Sequence, residues 1–111
     1  MACIDKGWTA VCAAQDIVPD TGVCALVGGL HVAVFRVGGD RLYAIGNVDP
    51  RSGASVLARG LVGSLGERVV VASPLYKQHF DLATGECLED PGHPVPAYAA
   101  KVEDGRVWVA V

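Results

Sequence analysis

Positive charge is scarce in this sequence and nowhere runs together. Nine Lys and Arg stand against twelve Asp and Glu, for a net charge of −3. A nucleic-acid binder wants a basic stripe and an anionic membrane surface wants a basic run, so neither partner is expected. Long apolar runs are missing too: none approaches the roughly 20 residues that span a bilayer. The opening MACIDKGWTAV has no charged stretch leading into an apolar one. No secretory signal is therefore expected, and the chain reads as cytoplasmic. In that compartment Cys3, Cys12, Cys24 and Cys87 are free thiols, because cytosolic disulfides are rare. None stands in C-x-x-C or C-x-H spacing, which argues against a cysteine-rich metal site. Cys12 and Cys24 lie in apolar runs and read as small buried hydrophobes. There is no Walker-type or G-x-G-x-x-G loop, so independent nucleotide binding is not indicated.

What the chain does have is apolar content and turn residues. Its 111 residues are 51% hydrophobic, with a mean hydropathy of +0.37, which suits one globular domain over residues 1–111. Short runs rich in Val, Ala, Leu and aromatics alternate with turns drawn from 14 glycines and 6 prolines. That rhythm predicts an all-β domain of short antiparallel strands, a small sandwich or barrel. Three hairpins stand out: Val23 to Val37 through Gly28-Gly29, Leu30 to Asn47 through Gly38-Gly39, and Ala97 to Val111 through Asp104-Gly105. Asp-Gly between apolar runs is the strongest short-range hairpin signal.

Two stretches break the rhythm. Asp49 to Gly66 is a long connection in which Leu57, Leu61 and Leu65 recur at helical spacing, although Gly60 and Gly63 weaken a helix. Long connections in small domains are usually functional or mobile. EDPGHPVPA, from Glu89 to Ala97, carries three prolines and predicts an extended, rigid return.

Two segments acquire meaning together. AIGNVDPRSGA (Ala44 to Ala54) precedes VVVASPLYKQHFDLATGECL (Val69 to Leu88), and the pair resembles the two cluster-binding loops of Rieske domains. There the first loop reads C-P-H-R-G-A, and the second reads C-P-x-H followed by F-D-L-x-T-G. Ala44, Ile45, Asn47, Pro50, Gly53 and Ala54 match the first. Pro74, Phe80, Asp81, Leu82, Thr84 and Gly85 match the second. The closing VEDGRVWV is similar to that fold's last hairpin, and the resemblance covers about Val23 to Val111. It implies a Rieske-like fold with former cluster loops at about 47–66 and 72–82.

The ligand positions depart from the motif. A Rieske centre holds one iron by two Cys and the other by two His. Asp49, Arg51, Ser73 and Tyr76 stand at those positions here. Arg is a permanent cation and cannot ligate one, and Ser and Tyr do not replace soft thiolates. No metal or cofactor is therefore expected in this chain. With SPLYKQHFDL and the longer spacer from Asp49 to Ser73, the pattern resembles the small subunits of assimilatory NAD(P)H-dependent nitrite reductases. That resemblance implies a non-catalytic subunit without a redox centre. Its large partner would carry FAD, sirohaem and a [4Fe–4S] cluster and reduce nitrite to ammonium.

The residues carry further expectations. Asp49 and Arg51 could form an ion pair worth about 0–1 kcal/mol if exposed. Ser73 and the Tyr76 ring could fill the vacated space and take over loop cohesion from the absent metal. His79, Asp81 and Asp49 supply donors for a non-haem iron site. Against that, Asp81 reads as the residue shaping the turn before Thr84-Gly85. His31 and His93 read as structural or solvent-facing. Cys87 has Glu86 and Glu89 beside it, which raise a thiol pKa and argue against a nucleophile.

The functional candidate is a surface. Arg51, Arg59 and Lys77 make the loop tip basic, interleaved with Val56, Leu57, Leu61, Tyr76 and His79, and we expect it to dock the large subunit. The competing reading has Leu57 and Leu61 packing beneath the loop as a satellite cluster. Two other functions remain open: a cluster-less Rieske-type module that binds or regulates another oxidoreductase, and an electron carrier with an unusual centre.

Overall fold

A computed structural model describes residues 7–39 and 41–111. Among these residues nine strands are present: β1 (Trp8–Ala13), β2 (Thr21–Val27), β3 (Leu30–Val37), β4 (Arg41–Gly46), β5 (Leu61–Leu65), β6 (Arg68–Ala72), β7 (His79–Asp81), β8 (Ala97–Glu103) and β9 (Arg106–Ala110). Six of them form an antiparallel sheet in the order β1-β9-β8-β4-β3-β2, and three form a smaller sheet, β5-β6-β7. The large sheet curls until its end strands β1 and β2 approach one another. Among the described residues, two 3-10 turns, Ala14–Asp16 and Leu57–Arg59, interrupt the strands.

The three expected hairpins form as β2–β3, β3–β4 and β8–β9. Their turn residues explain two of them directly. Gly28 and Gly29 have φ of 58° and 82°, and Asp104 and Gly105 have φ of 56° and 75°. A two-residue turn with both φ values positive matches the right-handed twist of the strands it joins.

β3 is the hinge of the packing. Successive side chains of a strand face opposite ways, yet Val32, Ala33, Val34 and Phe35 are all fully buried. Val32 and Val34 join Ile17, Val27, Val107 and Val109 inside the curled sheet. Ala33, Phe35 and Val37 join Ile45, Leu57, Val71, Phe80 and Leu82 between the two sheets. Burial on both faces is why LHVAVFRV reads as nearly continuous apolar sequence.

The structure corrects the reading of Asp49 to Gly66. Leu57, Leu61 and Leu65 share no helical face. Leu57 lies in the 3-10 turn at zero exposure, while Leu61 and Leu65 belong to β5 and are 80% and 45% exposed. Pairing with β6 decides the matter, placing Leu61 opposite Ala72, Gly63 opposite Val70 and Leu65 opposite Arg68. The glycines that weaken a helix there allow a strand. At Gly60 a Cβ would run into the Ala72 carbonyl.

The cysteines correct a second expectation. Cys24 is exposed on edge strand β2, Cys12 is half-buried, and Cys87 is the buried thiol. Cys3 lies outside the described residues. Burial pushes the thiols of Cys12 and Cys87 up from their ordinary values, and nearby carboxylates push the same way.

Candidate functional site

The two loops named by sequence are the same turn built twice. In the first, Asp49 N donates to the Ala54 carbonyl (2.8 Å) and Gly53 N to the Asp49 carbonyl (2.7 Å). In the second, Ser73 N donates to the Gln78 carbonyl (2.8 Å) and Lys77 N to the Ser73 carbonyl (2.9 Å). The fifth residue of each turn is left-handed, Gly53 at φ 77° and Lys77 at φ 59°. Glycine adopts that conformation freely, whereas a side chain there costs about 1–2 kcal/mol.

The first residues of the two turns meet. The Ser73 hydroxyl donates to Asp49 Oδ2 at 2.6 Å, and Arg51 N donates to Asp49 Oδ1 at 2.8 Å. Asp49 is at 0% exposure and Ser73 at 1%. Outside this pair, the Arg51 guanidinium lies over the Tyr76 ring, 5.0 Å from its centroid. Asp49, Arg51, Ser73 and Tyr76 are thus engaged with one another, two buried and two at the surface.

Two expectations change here. Among the described residues, the Arg51 side chain makes no ion pair with Asp49, because the carboxylate points inward to Ser73 while the guanidinium stacks outward. Tyr76 does not fill vacated space either. It is 52% exposed, since the direct Asp49–Ser73 contact has already closed the gap between the loops. A [2Fe–2S] cluster does not fit this set. One position is a cation, the Ser73 hydroxyl is committed to Asp49, and the inner pair stands at hydrogen-bond distance.

The suggested His79, Asp81 and Asp49 group is not brought together. His79 Nδ1 lies 2.6 Å from Glu89 Oε2, and His79 N donates to Glu89 Oε1 at 2.7 Å. Asp81 accepts from Arg68 Nε at 2.7 Å and from the backbone N–H groups of Ala83 (2.7 Å) and Thr84 (3.1 Å), shaping the Thr84-Gly85 turn as its sequence position suggests. Burial pushes the Asp81 carboxyl up, but the Arg68 hydrogen bond and the two backbone donors outweigh it and hold the group below its ordinary value. The Glu89 carboxyl is likewise held low: some desolvation is outweighed by donors from His79. At Gly85, φ is +82° and a Cβ would strike the Val95 carbonyl. Gly85 O accepts from Val95 N at 2.9 Å, so this glycine lets the proline-rich return lie against the second loop. His31 Nδ1 sits 2.8 Å from Ser55 Oγ, and His93 Nδ1 sits 2.9 Å from Asp90 Oδ2, both on the surface.

Of the surface set, Arg51, Arg59, Leu61, Tyr76 and Lys77 are exposed, and Val56 and His79 are half-buried. Leu57 drops out, packed in the core with Phe35 and Phe80. The satellite reading therefore suits Leu57 and fails for Leu61. Sequence reasoning passed over three residues. Leu75, 49% exposed, extends the apolar part of the tip. Gln78, 8% exposed, lines a groove of about 290 Å³ with Pro50, Arg51, Cys87, Asp90 and His93. Asn47, 1% exposed, pins the connection after the first loop: its Oδ1 accepts from Ala58 N at 2.7 Å and its Nδ2 donates to Ser55 Oγ at 2.7 Å. Its match to the first-loop motif was the available signal.

The model of the Rieske-like [2Fe-2S] domain family matches residues 7–110. The nitrite reductase (NADH) small subunit of Salmonella typhimurium is 50% identical over 101 residues, 90% of this chain and 94% of the relative. A nitrite reductase [NAD(P)H] large subunit of Klebsiella oxytoca is 42% identical over 104 residues, which are 94% of this chain and 11% of that much longer polypeptide. The NMR structure of the Escherichia coli protein NirD superposes with a TM-score of 0.87 at 46% identity, covering 94% of this chain and 96% of the other.

Proposed function

The chain belongs to the Rieske-like [2Fe-2S] domain family and, within it, to the nitrite reductase small subunits, and on that membership we propose that it is the non-catalytic small subunit of an NAD(P)H-dependent nitrite reductase. The observation that carries this reading is the match along nearly the whole length of both chains at 50% identity. The large subunit holds the redox chemistry, with FAD, sirohaem and a [4Fe–4S] cluster. It passes electrons from NAD(P)H to nitrite and forms ammonium in the cytoplasm. This chain contributes a folded surface and carries no redox centre, and alone it has no activity.

The loop tip serves as the docking face. Arg51, Arg59 and Lys77 enter no ion pair among the described residues, so their charge is available to an acidic partner. Exposed Leu61, Leu75 and Tyr76 supply apolar contact beside them. Charge complementarity of this kind raises association rates and sets orientation.

The test is an affinity pull-down of the tagged chain from nitrate-grown native cells, read by mass spectrometry. A large sirohaem flavoprotein should be recovered. Arg59→Glu and Leu61→Asp, both at exposed positions, should lose it while keeping their fold. Capture of a different oxidoreductase, with the sirohaem protein left in the lysate, would instead favour the regulatory-module reading.

A further inference from the structure

Most sheet edges in this molecule are protected. β1 is broken by an irregularity between Ala10 and Cys12. β2 packs against the 3-10 turn Leu57–Arg59. β7 is only three residues long, and its outer side is taken by Leu88 N donating to the His79 carbonyl and Asp81 N to the Glu86 carbonyl, at 2.9 and 2.8 Å. β5 has none of these devices. It ends the three-stranded sheet with no strand beyond it among the described residues. Its sequence, LVGSL, has neither charge nor proline. Proteins usually blunt such an edge with one or the other, because its unpaired backbone is a template for another strand.

The register tells which backbone groups are free. In antiparallel pairs, residues alternate between bonding the neighbour and facing away. Val69 O accepts from Leu82 N and Ser73 N donates to Gln78 O, so Val69, Val71 and Ser73 turn toward β7 and its loop. Val70 and Ala72 therefore bond β5 through Gly63 and Leu61. The amide and carbonyl groups of Val62 and Ser64 are left pointing to the open edge. On the outer face, two shallow grooves of about 260 and 250 Å³ meet at Leu61 and Ala72. Arg59 and Lys77 line the end nearer the loops.

Resting on the small-subunit reading, we propose that the large subunit adds an extended segment to the free edge of β5. It bonds the outward groups of Val62 and Ser64, lays apolar side chains against Leu61 and Leu65, and places carboxylates beside Arg59 and Lys77. Two observations choose this occupant over a second copy of the chain. A stretch 42% identical to this chain occurs within a large-subunit polypeptide, so a domain of this kind and a large subunit can share one chain. Arg59 and Lys77 at the end of the groove, in no ion pair among the described residues, favour a segment that bears carboxylates, and the β5 edge of a second copy, LVGSL, has none. The grooves continue into the loop tip at Arg59, Leu61 and Lys77, which gives one surface of edge and loops. Strand addition takes affinity from the backbone and specificity from alternate side-chain pockets.

The experiment is amide hydrogen exchange on the intact chain, alone and in complex with the co-expressed large subunit, together with co-purification of Ser64→Pro. Proline at Ser64 removes an outward N–H and no bond to β6. Val62 and Ser64 amides should exchange fast in the free chain and slow at least about tenfold in the complex. Ser64→Pro should retain the wild-type melting curve and lose at least about tenfold in binding. Should Ser64→Pro misfold, the exposed pair Leu61→Asp with Leu65→Asp replaces it with the same expected loss. Fast exchange at Val62 and Ser64 within an assembled complex would overturn the proposal and leave the subunit reading intact. Protection that arises from self-association of the chain alone would overturn the choice of occupant. If wild-type chain and large subunit do not associate at all, the subunit reading itself falls and the proposal with it.

Discussion

Removing one hydroxyl, by Ser73→Ala, tests whether the buried pair joins the loops. Asp49 is fully buried and takes two donors, Ser73 Oγ and Arg51 N. The substitution leaves Oδ2 with no partner in a place water does not reach. A hydrogen bond to a charged group contributes roughly 1.5–3 kcal/mol, and burying the orphaned group adds to the cost. We expect a loss of about 2–3 kcal/mol. For a domain this small each kcal/mol moves the melting temperature about 4–8 °C, so the drop should be on the order of 10 °C or more. Asp49→Ala should cost about as much, by orphaning the Ser73 hydroxyl and the Arg51 amide. The double variant should cost clearly less than the sum, with a coupling of about 1–3 kcal/mol. Tyr76→Ala gives the contrast, because an exposed cation–π contact contributes only about 0.5–1 kcal/mol. Urea denaturation followed by tryptophan fluorescence measures all four variants. A Ser73→Ala loss below about 0.5 kcal/mol, or a coupling near zero, would show that packing alone holds the loops and would refute this reasoning.

Gly85→Ala should lose at least about 1–2 kcal/mol from its left-handed backbone, and more from the Cβ meeting the Val95 carbonyl; chemical denaturation gives the value. Brief alkylation of the native chain followed by peptide mass spectrometry should modify exposed Cys24 and spare Cys87 until the protein unfolds. Asp81 and Glu89 have depressed folded-state values. Their stabilisation is complete above the ordinary carboxylate range and is lost as pH falls through the lower folded values. Asp81→Asn should therefore flatten the acid limb of a stability–pH curve, and an unchanged limb would count against the Arg68 contact. Lys77→Gly relieves the left-handed strain and should keep or slightly raise the melting temperature while deleting a docking charge.

How far the sequence could be read depended on the range of each interaction. Gly28-Gly29 and Asp104-Gly105 announce their hairpins because a positive φ is demanded within two residues of the strands it joins. The Thr84-Gly85 turn was legible for the same reason, with Asp81 bonding the next two amides. β5 was hidden by pattern rather than by range: Leu57, Leu61 and Leu65 mimic a helical stripe, whereas pairing with the neighbouring β6 across Gly66-Glu67 sets the period to two. Cys24 was misplaced because an apolar run does not say which side of an edge strand faces solvent.

The candidate site divides the same way. By itself, the sequence determined that Asp49, Arg51, Ser73 and Tyr76, which align with the Rieske ligands by resemblance, offer no cysteine or histidine, since ligand chemistry belongs to residue identity. It determined the two loops as well, because each closes through hydrogen bonds within its own six residues. Only the tertiary structure decided that Asp49 would turn to Ser73 and Arg51 to Tyr76, that Leu57 would enter the core, and that β5 would keep an open edge. Those outcomes depend on which surfaces the two sheets press together, and burial, unlike turn chemistry, is set by the whole fold at once.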